Sequence, residues 1–357
     1  MNYNVHQTKK NRSALFIILT GLTLGLSYSL ITDEFGDIRG YLVGFVIGLF
    51  GSILIALFEL WIFNPQLRRF SFIGSLITKT LFYIIGFSII IIFTKGFIDS
   101  IFYRLSFRDY LVSSDFNKFL YEEDFILILI YSLVIFSLII FTRQMSRKMG
   151  YSVLINYVSG KYHYPKEEER IFLSLDLNAS TNLAEQFGDK KYFNLLNDFF
   201  YDITKCILTT KGEIYRYVGD EVVVSWPIKN GLKNANCIRT YYYILHELNR
   251  LKEKYLNAYG LAPQFSAVFN LGKVVVGEIG EIKSQIVYHG EVLYISSIVK
   301  KECSKLNSPL LITENLIKLL ELPSIYKSEK RGDIKISQDS DCINLYTLVE
   351  IDQQLKI

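Results

Sequence analysis

The chain has 357 residues, half of them apolar and 21% charged, which excludes a disordered polymer and gives room for two or three domains. Its 4 cysteines (Cys206, Cys237, Cys303 and Cys342) form no Cys-x-x-Cys pair and it has 4 histidines, which argues against a disulfide scaffold or zinc-finger array and suits a reducing compartment. The net charge of +4 is uneven: residues 1–150 carry 14 basic and 10 acidic side chains and the remainder 25 of each, so no nucleic-acid partner is expected.

Four apolar runs open the chain: Ala14–Thr32, Tyr41–Phe63, Phe72–Thr94 and Phe125–Thr142. A hydrocarbon core of about 30 Å takes about 20 helical residues, so each run has spanning length. A cleaved leader is not expected, because the first run lacks a small-residue cleavage site and three more follow. Basic flanks alternate with acidic loops. Lys9, Lys10 and Arg12 precede the first run, Asp33, Glu34 and Asp37 outweigh Arg39 in the first loop, and Arg68 and Arg69 hold the second. The third loop, residues 95–124, sets Asp99, Asp109, Asp115, Glu122, Glu123 and Asp124 against Lys95, Arg104, Arg108 and Lys118. Arg143, Arg147 and Lys148 follow the last run. The positive-inside rule then puts both ends of a four-helix anchor, residues 1–142, in the cytoplasm, with the lipid bilayer as its partner.

Two charges fall inside the runs. Glu59 in the second and Lys79 in the third lie at comparable depth near the cytoplasmic side. They either pair between helices or reach separately for the headgroups. The aromatic third loop is either a binding site for an external ligand or a connector. Residues 143–170 read as a linker, polar from Gln144 through Gly160, Pro165 and Glu167–Arg170, with an apolar stretch at Ser152–Val158 suited to packing.

Ile171–Leu175 is a short apolar run ending in Asp176, the pattern of a buried strand carrying a carboxylate at its end. Asn178, Ala179, Ser180 and Thr181 lead into a helical pattern from Leu183 to Leu208, with Asn182 and Glu185 spaced as a capping box. A helix N-terminus attracts a phosphate through free N–H groups, and the Asp supplies a hard oxygen for a divalent ion. Two β-rich runs flank Gly219-Asp220, a hairpin with an acidic tip. A lone turn Asp is ordinary turn chemistry; a second carboxylate near the end of a neighbouring strand makes a two-cation site an alternative. The predicted order then runs helix (232–259), strands (264–270, 273–278, 286–288), helix (292–305), strand (310–312), helix (314–320) and a terminal pair (326–336, 343–350). This is an α+β, ferredoxin-like β-α-β-β-α-β core over residues 171–350, followed by a tail, 351–357.

Three stretches, FLSLDLNASTNLAEQFG (172–188), GEIYRYVGDEVVVSWP (212–227) and GKVVVGEIGEIKSQIVYHGEVLYISSIV (272–299), resemble the catalytic domain of class III nucleotidyl cyclases, and bacterial adenylate/guanylate cyclase-type proteins with a multi-helix membrane anchor in particular. The resemblance implies conversion of a nucleoside triphosphate, ATP ahead of GTP, to cyclic nucleotide and pyrophosphate, with two divalent ions, Mg²⁺ or Mn²⁺, held by Asp176 and Asp220. It also implies a head-to-tail dimer, one protomer giving the metals and the other an Asn and an Arg for the transition state.

Those last residues are replaced. In the family's pattern around the last helix, Tyr294 stands where the Asn falls and Ile298 where the Arg falls. The purine-selecting Lys falls on Arg216, its partner on Val287, and the phosphate-binding Lys or Arg on Ser337. Activity of a homodimer is therefore doubtful. Two outcomes remain open: a heterodimer that borrows the missing residues, and a degenerate domain that binds nucleotide or a partner chain and signals without chemistry. Arg216–Val222 also looks like the diguanylate cyclase signature, with Val218 in place of a Gly, but the segments after residue 260 fit the class III pattern better. An Arg at 216 reads a guanine edge well, a hint toward GTP.

Overall fold

The computed structural model describes residues 14–15, 17–27, 38–59, 72–121, 124–336 and 342–350. The chain divides at Met149/Gly150 into two units. In the first, three helices are long and apolar enough to cross a membrane: α1 (Ile38–Leu57), α2 (Phe72–Phe102) and, within α5 (Asp124–Met149), Phe125–Ser146. A shorter apolar helix, Ile17–Leu26, accounts for part of the first predicted run. Apart from Ala14, Leu15 and Ser27, the rest of that run lies outside the described residues, as do the flanking charges Lys9, Lys10, Arg12, Asp33, Glu34, Asp37, Arg68, Arg69, Glu122 and Glu123.

The Ile17–Leu26 helix meets α1 backbone to backbone. A Cβ on Gly25 would lie 2.3 Å from the Gly44 carbonyl oxygen, and one on Gly48 would lie 2.5 Å from that of Gly21. Small residues four apart on each helix are what permit such an approach where no hydrophobic effect drives association. Gly25→Leu is expected to lower thermal stability in detergent by about 1–3 kcal/mol, the usual cost of overpacking. An unchanged melting temperature would show that this contact contributes nothing.

The two charges within the apolar runs pair. Lys79 on α2 donates to Glu59 Oε1 at 2.5 Å, and Tyr83 adds a hydroxyl donor to the same oxygen at 3.2 Å. Arg143 of α5 lies 3.6 Å from the other oxygen, Oε2. Both paired side chains are buried (2% and 6% exposed), so this is an interhelical ion pair and not separate snorkelling. α2 runs eight residues past its predicted end at Thr94, and the predicted loop folds into α3 (Phe107–Leu111) and α4 (Ser114–Tyr121). These helices pack Tyr110, Phe116 and Phe119 into a cluster with Val43, Ile47, Ile91 and Ile128. Tyr110 donates to Asp99 Oδ2 at 2.7 Å.

The second unit is built on an eight-stranded sheet. Its elements are α6 (Tyr151–Val158), β1 (Lys166–Leu177), α7 (Ser180–Phe187), α8 (Asp189–Thr209), β2 (Glu213–Val218), β3 (Glu221–Pro227), α9 (Ile228–Leu232), α10 (Asn236–Arg250), α11 (Lys252–Tyr259), β4 (Phe265–Ile279), β5 (Gln285–His289), α12 (Glu291–Lys305), β6 (Leu310–Thr313), α13 (Glu314–Ile317), β7 (Tyr326–Ile334) and β8 (Ile343–Glu350). The order is β2-β3-β1-β4-β6-β8-β7, with β5 paired to β4. β1 is central and covered on both faces, which is why Ile171–Leu175 reads as an unbroken apolar run rather than an alternating one. On one face Leu195, Phe199 and Ile203 of α8, with Ile238, Tyr241 and Ile244 of α10, pack on Ile171, Leu173, Val224, Trp226 and Phe269. On the other, Val299 and Cys303 of α12 pack on Val268, Leu311 and Leu345.

Several sequence expectations need correction. The predicted linker is largely regular: α6 covers Tyr151–Val158, and Lys166–Arg170 extend β1. Arg170 is 1% exposed, and its guanidinium donates to Glu168 (2.9 Å), Ser225 (3.1 Å) and Glu213. A charged residue survives there because carboxylates from two strands compensate it. The helix after β1 begins at Ser180, not Leu183, so Asn182 is not its cap, and it breaks at Gly188 (φ 71°). The long helix at 232–259 breaks where Asn234 and Ala235 take left-handed conformations (φ 54° and 48°) and again at Leu251. The two strands predicted around Leu271-Gly272 are one, β4. No turn forms because Asn270 is locked in place, donating to Val292 O and accepting from Leu271 N and Thr313 Oγ1.

Candidate functional site

Asp176 sits one residue from the end of β1, in register with Glu221 on β3 and Ser266 on β4. Gly219 takes φ 62°, the left-handed conformation a two-residue hairpin turn demands, and Asp220 completes that turn. The Leu177 N–H donates to the Asp220 carbonyl at 3.4 Å, tying the hairpin tip to the end of β1. The two predicted metal ligands thus come from neighbouring chain segments at one end of the strands. The charge of Asp220 is also felt at Asp176.

Two side chains not anticipated from the sequence join them. Glu221, beside Asp220, accepts from Ser174 Oγ and, at 2.8 Å, from Lys300 Nζ. Lys300 reaches over from α12, and its ammonium also stands 3.5 Å from Asp176 Oδ1. That oxygen is buried and accepts no hydrogen bond, so the ammonium acts there as an ion-pair neighbour only. Burial pushes the Asp176 carboxyl above its usual range. Lys300 opposes that shift, while Asp220 and Glu221 reinforce it. Burial alone would lower Lys300, but the hydrogen bond to Glu221 and the charges of Glu221 and Asp176 hold it above its usual value. Tyr192 on α8 is a further neighbour: burial, then the charge of Asp220, raise its phenol, which also meets Ser180 and feels Asp176.

Asn178 and Ala179 form the turn into α7, and Ser180 and Thr181 are its first residues. Ala179 holds φ 57°, costing about 1–2 kcal/mol for a residue with a Cβ. No side chain caps this helix, and, as at any helix start, its first N–H groups have no intrahelical partner. The carboxylates are hard oxygen donors and one oxygen is orphaned, which fits a divalent cation in chemistry. Among the described residues no three His, Cys, Asp or Glu gather closely enough to hold a metal ion by themselves. Such an ion would complete its shell with water and phosphate oxygens, as Mg²⁺ commonly does.

The remaining predicted positions are less convergent. Arg216 is exposed on β2, its guanidinium 5.2 Å from the Tyr215 ring. Val287 pairs with Gly277 across β4–β5. Their neighbours do meet: Tyr288 N donates to the Tyr215 hydroxyl at 3.2 Å, so β2 and β5 are adjacent. Tyr294 is 58% exposed on α12. Ile298, one turn on, packs into the apolar cluster of Val268, Val299, Cys303 and Leu311. Ser337 lies outside the described residues.

The chain is 32% identical over 209 residues to Adenylate cyclase 2 of Rhizobium meliloti (strain 1021), a match covering 58% of this chain and 58% of that protein. The matched stretch is therefore less than two thirds of the relative's length. A solved bacterial light-regulated adenylyl cyclase is similar in fold, with a TM-score of 0.52 and 20% identity over 64% of this chain and 67% of that one. No family model matches the chain.

Proposed function

Taking the C-terminal unit as a class III nucleotidyl cyclase-type domain, we propose that it is the metal-holding half of such a site and is carried by a multi-pass membrane anchor. The observation that carries this is the meeting of Asp176 and the Asp220 turn, with a buried Asp176 oxygen left without a hydrogen bond. In this reading the unit is a ferredoxin-like domain facing the cytoplasm of a bacterium. The anchor has four helices in the plasma (inner) membrane, both its ends are inside, and the active assembly is a dimer. Asp176 and Asp220 would hold the divalent ions, which when bound neutralise the triphosphate and lower the barrier to attack by the 3′-hydroxyl. The N-terminus of α7, with Asn178, Ala179, Ser180 and Thr181, would take a phosphate. Arg216 and Val287 would face the base, ATP ahead of GTP.

Tyr294 and Ile298 support the incomplete part of this reading. An isoleucine packed in an apolar cluster donates no hydrogen bond to a developing phosphate charge. Because the site is shared between protomers, this chain would need a cyclase-type partner that keeps the Asn and Arg. Co-expression with such a partner is expected to yield cyclic nucleotide, and Asp220→Ala in this chain to abolish it. A fully active mutant pair would refute the metal role. The second reading, nucleotide binding without chemistry, is favoured by the same Ile298 packing. Calorimetry with ATP and GTP, with and without Mg²⁺, separates it from a domain that binds neither.

A further inference from the structure

We infer that Lys300 is a tethered cation that competes with a divalent metal ion for Asp176, holding the metal half of the site in a self-neutralised resting state. This rests on the metal-holding reading of Asp176 and Asp220 above.

Asp176 is in register with Glu221 across β1 and β3, Asp220 precedes Glu221 in the turn, and the charges of both Asp220 and Glu221 are felt at Asp176. Their mutual repulsion in a half-buried setting calls for a counter-charge, and the chain supplies one from α12. The ammonium of Lys300 is anchored at 2.8 Å on Glu221 and leans toward Asp176 at 3.5 Å. The Asp176 oxygen it approaches is the buried one without a hydrogen bond, the atom best disposed to ligate a cation. An ion ligated there would lie within a few ångströms of the ammonium, and a doubly charged cation so close to a single positive charge is disfavoured. The Lys300 side chain is 28% exposed and flexible enough to swing toward solvent or remain on Glu221 alone. The metal half is therefore assembled but opposed by a removable charge.

Mn²⁺ binding to the purified full-length protein in detergent, measured by isothermal titration calorimetry and by the free-ion electron paramagnetic resonance signal, tests this without reference to activity. Lys300→Gln is expected to bind Mn²⁺ about tenfold or more tightly than wild type. Lys300→Arg, which keeps the charge, is expected to behave as wild type. Adding Asp176→Asn to Lys300→Gln is expected to erase the gain. Lys300→Met keeps the apolar stem and gives the same gain should the Gln variant melt early. If Lys300→Gln binds as wild type does while Asp176→Asn weakens both, the inference falls and the metal reading stands. If folded wild type and Lys300→Gln both fail to bind Mn²⁺, both fall. Binding by Lys300→Arg as tight as by Lys300→Gln would overturn the charge argument.

Discussion

Purified full-length protein given ATP or GTP with Mg²⁺ or Mn²⁺ is expected to form cyclic nucleotide at least two to three orders of magnitude more slowly than a relative that keeps the transition-state residues. Losing one preorganised charge-stabilising donor costs roughly 10²–10³ in rate. Here two positions are replaced together, and such losses compound without being additive. Tyr294 is open to solvent, and its phenol offers a single O–H at the end of a rigid ring where a short amide offers two N–H donors and a carbonyl acceptor. Ile298 is turned into the apolar cluster of α12 and β6, so its site is occupied by packing and not by charge. The double change Tyr294→Asn/Ile298→Arg is expected to raise the rate of the homodimer, although the new guanidinium must leave that cluster to act. Robust turnover by the unmodified homodimer in a cyclic nucleotide assay would overturn the half-site reading.

Removing Glu59 is expected to destabilise the N-terminal unit by about 3–5 kcal/mol, the cost of breaking a buried ion pair by deleting one partner. Glu59→Leu leaves the Lys79 ammonium buried without its carboxylate and deprives Arg143 of its neighbour. Lys79→Met is expected to cost less, because Arg143 still faces Glu59 Oε2 at 3.6 Å and Tyr83 still donates to Oε1. The double variant Glu59→Leu/Lys79→Met is expected to be far milder than the sum of the singles, since an apolar pair of similar volume needs no desolvation compensation. Thermal melts in detergent over the four members of this cycle measure the coupling. Additive losses would mean that the pair contributes nothing beyond its separate contacts.

Much of the site was legible because its signals are local. Asp176 ends the apolar run Ile171–Leu175, and Gly219-Asp220 sits between two runs rich in valine and aromatic residues, so a strand end and a turn follow from neighbouring residues alone. The helix predicted at 292–305 and the terminal hairpin were placed within two residues for the same reason, whereas the helix predicted at 314–320 stops at Ile317. The continuity of β4 was not legible, because Gly272 looks like a turn residue until Val292 is seen packed over it at 2.9 Å from where a Cβ would stand. Nor was the burial of Arg170 legible: its neighbours Glu167, Glu168 and Glu169 give a solvent-facing composition, while its compensating partners include Glu213 and Ser225 on other strands.

By its order of residues alone, the chain determined its apolar runs, its uneven charge, the strand-end and turn aspartates, and a tyrosine and an isoleucine at 294 and 298. These properties belong to single positions or to periods of two to four residues. Only the tertiary structure decided that Glu59 meets Lys79 rather than the headgroups, that glycines on two helices bring backbones together, and that Lys300 crosses 79 residues of sequence to Glu221 and leans on Asp176. The physical reason is that a buried charge chooses its partner by desolvation and distance, and neither quantity exists until the chain has closed on itself.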